Sequence, residues 1–254
     1  MLLIRKDDSE VRSMEDWFVL APPMGKAKQW AEGRSAMELA RAWFPAPGPP
    51  QEPAELRALL DSRPETRGIV LLEAEPERRA AFDTCRGQPR NTDLALWGER
   101  DDGKVVIHVE AKADESFDEP AGQRVDRSVS GNPRSQMPRR FAMLCEGLFG
   151  VGPESQDVRE LRYQLLTAVA GAAADADRAG ARIVIVVVHE FLGHTDPAKV
   201  DENAADLDRF VRALPGCRVA HIEPGLLAGP FAIPGNAHFP GTDRLFIGKC
   251  RRTL

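Results

Sequence analysis

The order of apolar patterns along this chain predicts an α/β protein with a mixed central sheet flanked by helices, and three observations carry that prediction. Two apolar runs, at 92–98 and 105–111, bracket the turn sequence Glu99-Arg100-Asp101-Asp102-Gly103-Lys104, as in a β-hairpin. Residues 156–178 place Val158, Leu161, Leu165, Ala168, Val169, Ala172 and Ala176 at helical spacing. After Gly180, residues 181–188 form an unbroken apolar run of the kind a sheet buries on both faces. Strand, helix and strand then make a right-handed crossover between parallel neighbours.

The remaining elements follow in chain order. The second half of 27–44 reads as a helix, with Ser35 as N-cap, Glu38 completing a capping box and Pro45 ending it. Five prolines and a glycine between Pro45 and Pro53 make an extended connector. The expected division is therefore an N-terminal helical segment with its connector, 1–53, and an α/β core, 54–254. A short helix is expected over 54–62 and a strand over 68–74, while 75–91 is charged and carries no clear pattern. Residues 113–138 form a long polar stretch, a length that marks a binding loop or a disordered segment. One or two helical turns at 141–149, the helix at 156–178, a helix at 202–213 and strands at 218–222 and 244–247 complete the set.

Composition narrows the function classes. At 254 residues and 43% hydrophobic content the chain can bury a sizeable core. Cys85, Cys145, Cys217 and Cys250 are far apart with no Cys-x-x-Cys pair, against both a zinc knuckle and a disulfide framework. The start, Met-Leu-Leu-Ile-Arg-Lys, is too short an apolar run for a signal peptide, and no stretch approaches a membrane span, so a cytoplasmic protein with no membrane partner is expected. The net charge of −5 counts against general attraction to nucleic acid. Charge is uneven, however: Arg124, Arg127, Arg134, Arg139 and Arg140 cluster between 121 and 142 against the single acid Asp126, either as a phosphate-facing loop or as solvated charge.

The candidate site lies on the hairpin. Side chains alternate along a strand, so Glu110 and Lys112 share a face with Val106 and His108, while Val105, Ile107, Val109 and Ala111 line the other. The turn brings Asp93 towards that pair. Mg²⁺ takes hard oxygen ligands and keeps several waters, so Asp93 and Glu110, with the carbonyl of Ala111, make a plausible set beside a substrate phosphate. Lys112 can then orient the attacking water or stabilise charge on the phosphoryl group. His108 is either a neighbour that supports Glu110 or a satisfied sheet histidine.

A helix, three strands with an acid on the second and Glu-x-Lys on the third, then a long helix and a buried strand, resembles the PD-(D/E)xK nuclease superfamily over residues 35–190. The resemblance implies a restriction-endonuclease-like core, Mg²⁺ or Mn²⁺ as cofactor and hydrolysis of nucleic-acid phosphodiester bonds, with DNA favoured over RNA and a homodimer as one assembly. It makes Asp93 the motif aspartate, Glu110 the second acid and Lys112 the lysine, with Thr92 where the motif name has proline. Glu38 matches the extra glutamate of the first helix, with Glu73 and Glu75 as alternatives. Arg162, Tyr163 and Gln164 resemble the polar positions that exonuclease-like branches carry on the following helix, Gln164 among the catalytic set. A catalytically inactive binding or assembly module on the same fold is the alternative.

His189-Glu190-Phe191-Leu192-Gly193-His194 imitates a zinc-peptidase signature, but its histidines are five apart rather than four and Gly193 interrupts any helix. No glycine-rich phosphate loop and no Gly-x-Ser-x-Gly elbow is present.

Overall fold

Strand pairing, rather than helix packing, organises the chain. The computed structural model describes every residue except Met1, Lys26, Ala27, Gly87, His194 and Thr195. The described elements are β1 (Leu3–Lys6), β2 (Ser9–Glu10), α1 (Met14–Leu20), α2 (Ser35–Trp43), α3 (Ala54–Leu60), β3 (Val70–Ala80), β4 (Arg90–Arg100) and β5 (Gly103–Lys112). They continue with α4 (Ala121–Gly131), α5 (Met137–Phe149), α6 (Gln156–Arg159), α7 (Tyr163–Ala179), β6 (Ile183–Leu192), α8 (Pro197–Ala213), β7 (Leu227–Gly235) and β8 (Pro240–Thr253). Among the described residues the strands form one mixed sheet ordered β2-β1-β3-β4-β5-β6-β8-β7. The pairs β3–β4 and β4–β5 are antiparallel, whereas β5–β6 and β6–β8 are parallel. No described helix is long and apolar enough to cross a membrane.

Alternation along β6 shows why its apolar run is unbroken. Val184, Val186 and Val188 enter one core with Phe141 and Leu144 of α5, Leu165 and Val169 of α7 and Phe210 of α8. Ile183, Ile185 and Val187 enter a second core with Leu39 and Trp43 of α2 and Leu56, Leu59 and Leu60 of α3. Both faces of the strand are therefore covered. Trp17 and Ile4 from the first 53 residues join the second core, and β1 pairs in parallel with β3. The small residues of α7 bring that helix down onto the sheet: a Cβ added at Gly171 would lie 3.2 Å from Ala80 Cβ and 3.7 Å from His108 Cε1.

Four expectations are corrected. The polar stretch after β5 contains α4, which buries Ala121 and Val125 and is anchored by the Ala121 N–H donating to Leu161 O. The helix expected over 156–178 is two, α6 and α7, because Arg162 is extended and pairs with Pro120 in an isolated bridge. Residues 218–222 are not a strand: the Ile222 N–H donates to Asp208 Oδ1, and the terminal hairpin is β7–β8, longer than the expected 244–247. Ser35 is the first residue of α2 rather than its cap; Arg34 takes that position without a side-chain bond.

Candidate active site

The sheet forks between β4 and β5. Their ladder runs from Arg100↔Gly103 to Leu94↔Val109 and stops there, although β4 remains paired to β3 down to Ala80↔Arg90 and β5 to β6 up to Lys112↔Glu190. A cleft of about 520 Å³ opens at the fork, with Asp93, Ala111, Lys112 and Gln164 in its wall. The end of a ladder leaves backbone donors to be satisfied elsewhere. Asp93 does this directly, its Oδ2 accepting from the Ala111 N–H at 2.8 Å.

Lys112 is buried, and its Nζ donates to Gln164 Oε1 at 2.9 Å and lies 4.9 Å from the centroid of the Phe117 ring. Burial pulls its pKa below the ordinary lysine range, against the nearby charge of Asp93. The same Gln164 amide turns its Nε2 to Glu110 Oε2 at 2.6 Å, so one side chain bridges the two members of the Glu-x-Lys pair. Gln164 reaches both because the Pro120–Arg162 bridge sets the first turn of α7 beside the ends of β4 and β5.

Glu110 lies beneath the cleft rather than in its wall. It is fully buried and forms an ion pair with Arg90, so Arg90 and Gln164 between them engage both of its oxygens. Arg90 is itself buried, and desolvation brings its guanidinium down to about 10. A buried charge needs an opposite charge of this kind.

Glu77 takes the place beside Asp93. The two lie between the paired positions Pro76↔Leu94 and Arg78↔Thr92, and both line the cleft. Glu77 has a φ of 50°, a left-handed conformation that is uncommon for any residue but glycine, in the middle of a strand. Burial first, and the charge of Asp93 second, push its carboxyl up to about 7, while a hydrogen bond from Asn91 opposes them. Glu115, also in the wall, is likewise raised by burial, against Ser35 and Lys112. Residue pattern gave no sign of Glu77 or Arg90, since the stretch 75–91 shows no periodicity, nor of Glu115, which lies in the polar stretch after Lys112.

The other expected residues are dispersed. Tyr163 lines the cleft under the Arg124 guanidinium, 4.6 Å from its ring centroid. Arg162 turns away to Asp206 at 2.6 Å and Glu202 at 2.8 Å, tying α7 to α8. Glu38 is buried against Arg41 and accepts from the Gly33 N–H, outside the cleft wall. Glu73 is exposed on β3 opposite Trp97, and Glu75 pairs with Lys6 and Arg78. His108 lies between Thr92 Oγ1 at 3.3 Å and Asp175 Oδ2 at 3.2 Å, a satisfied sheet histidine whose pKa burial lowers. His189 bonds Glu55 at 2.9 Å, and His194, the other end of the peptidase-like hexapeptide, lies outside the described residues.

Among the described residues no three His, Cys, Asp or Glu side chains are gathered into a metal cage. Mg²⁺ needs less than that: one or two carboxylates beside substrate phosphate suffice. Asp93 and Glu77, two carboxyl groups in the cleft wall, are the donors that fit such an ion, with the backbone of Ala111 in the same wall.

Fold and cleft together define an α/β protein whose forked mixed sheet brings an acid, a lysine and a bridging amide to one cavity. The chain belongs to the family described as a domain of unknown function, DUF6946, whose model matches residues 10–251. No curated protein and no solved structure matches it.

Proposed function

We propose that this protein hydrolyses nucleic-acid phosphodiester bonds with Mg²⁺ or Mn²⁺. The observation that carries the reading is the meeting of Asp93, Lys112 and Gln164 at the fork between β4 and β5. A bound divalent ion lowers the pKa of its water and offsets charge growing on the phosphoryl oxygens. Asp93 and Glu77 hold the ion; Gln164 fixes Lys112 Nζ, which orients the water and stabilises the developing oxyanion. Glu110 anchors Gln164 from below rather than ligating metal while Arg90 holds it.

The test is cleavage of single- and double-stranded DNA and of RNA by purified protein, with each metal and with EDTA. Metal-dependent cleavage is expected, falling by roughly a hundredfold or more in Asp93→Ala and Lys112→Ala, the loss typical when a positioned charge is removed. Intact substrates throughout, or variants that cut as well as wild type, refute the proposal.

The Arg90–Glu110 ion pair favours a second reading, a binding module on the same fold without chemistry, because it occupies the acid that the Glu-x-Lys pattern assigns to metal. Mn²⁺ titration separates the two readings: an inert module binds the ion no better than its Asp93→Ala variant.

A further inference from the structure

Four guanidinium groups line the cleft, and three of them, from Arg90 of β4, Arg124 of α4 and Arg140 of α5, lie on the side of Tyr163. Two of them converge on one phenol. Arg124 stacks over the Tyr163 ring, and the charge of Arg140 acts on the same side chain. Each arginine has an acidic partner that holds its position: Glu110 for Arg90, Asp118 for Arg124, and Asp83 for Arg140 at 2.6 Å.

Those partners leave donors over. The Nε atoms of Arg90 and Arg124 are buried and have no hydrogen-bond partner. Buried guanidinium donors are seldom left unpaired, and each calls for an acceptor. The planar fork of arginine suits the tetrahedral oxygens of phosphate better than a point charge does.

We propose that Arg90, Arg124 and Arg140, grouped around Tyr163, form a phosphate subsite beside Asp93 and Lys112 that holds a substrate phosphate next to the bond being cleaved. This rests on the phosphodiester reading and adds what grips the substrate. The same chemistry serves two sources, a terminal phosphomonoester or an internal phosphodiester.

The experiment uses the full chain in EDTA, so that no reaction intervenes. Inorganic phosphate is titrated at constant ionic strength against a chloride control, and the rise in Tm is read rather than Tm itself. Phosphate is expected to raise Tm in wild type, with the apparent Kd weakened about tenfold or more in Arg124→Gln and in Arg140→Gln. Oligonucleotides with 5′-phosphate, 3′-phosphate and no terminal phosphate then identify the source. Tighter binding of one phosphorylated end, lost in Arg124→Gln, assigns a chain end; equal weakening for all three assigns an internal phosphate. Phosphate no more effective than chloride, or variants that bind as wild type does, overturns the subsite. Cleavage is measured separately with metal, so a failed subsite leaves the hydrolysis reading standing, and retained phosphate binding without cleavage removes the chemistry alone.

Discussion

The Arg90–Glu110 pair offers the sharpest test of how the site is built. Glu110 has 0% and Arg90 9% of its side chain exposed, and Glu110 receives a second bond from Gln164 at 2.6 Å. Removing one partner of such a pair leaves an uncompensated buried charge, at a cost of about 3–5 kcal/mol. For a chain of this size each kcal/mol lowers Tm by about 2–4 °C, so Arg90→Met is expected to melt roughly 6–20 °C below wild type. The double variant Arg90→Met with Glu110→Leu removes both charges and fills the space with apolar atoms, which is often close to neutral. Its residual cost is about 1–3 kcal/mol, from the Gln164 Nε2 donor left without Glu110. Urea unfolding of the two single variants and the double one closes the cycle. A double variant that costs the sum of the singles, or an Arg90→Met that costs under about 1 kcal/mol, shows that the charges do not depend on each other and that Glu110 is free to serve elsewhere.

Three further outcomes follow from the same geometry. Asp175 is held down to about 2, despite burial, by bonds from His108 and Arg78. Its folded pKa lies below the unfolded 3.8, so it contributes stability of about 2 kcal/mol that is present above that value and lost as pH falls through about 2. Asp175→Asn should therefore be less stable than wild type in urea at pH 7, with the difference closing by pH 2. A Cβ at Gly147 would lie 2.3 Å from Phe239 Cζ, inside a buried contact between α5 and the β7–β8 turn. Gly147→Ala should cost about 1–3 kcal/mol by thermal unfolding, and an unchanged Tm would show that Phe239 yields freely. Lys112→Met removes a buried charge but keeps most of the volume, so stability should hold or rise while metal-dependent cleavage is lost, a split read by pairing calorimetry with the nuclease assay.

Patterns confined to one element were legible in the chain. The buried strand β6, the hairpin turn at 99–104 and the shared face of Glu110 and Lys112 all follow from local periodicity. So does the amphipathic α8, which begins five residues earlier than expected because Asp196, just before it, caps with its side chain on the Ala198 N–H. β7 was hidden, while only 244–247 of β8 was expected, because β7 is interrupted by Gly229, Pro230 and Pro234 and is held by pairing to β8 rather than by its own alternation. α4 was hidden because its mean composition is polar, and what buries Ala121 and Val125 is packing against the helices that follow it, α5 and α6.

The identity of Asp93, Lys112 and Gln164 as neighbours needed two facts of different reach. Alternation and a turn place Glu110, Lys112 and Asp93 on adjoining strands, which sequence alone determined, because side-chain direction along a strand depends only on residue number. Whether an acid then faces a cavity or a buried arginine was decided by tertiary structure alone. Glu110 and Asp93 have similar surroundings in sequence, yet Arg90 pairs with one and the forked ladder opens beside the other. Desolvation and charge pairing act through distances across the fold, and no local pattern encodes those.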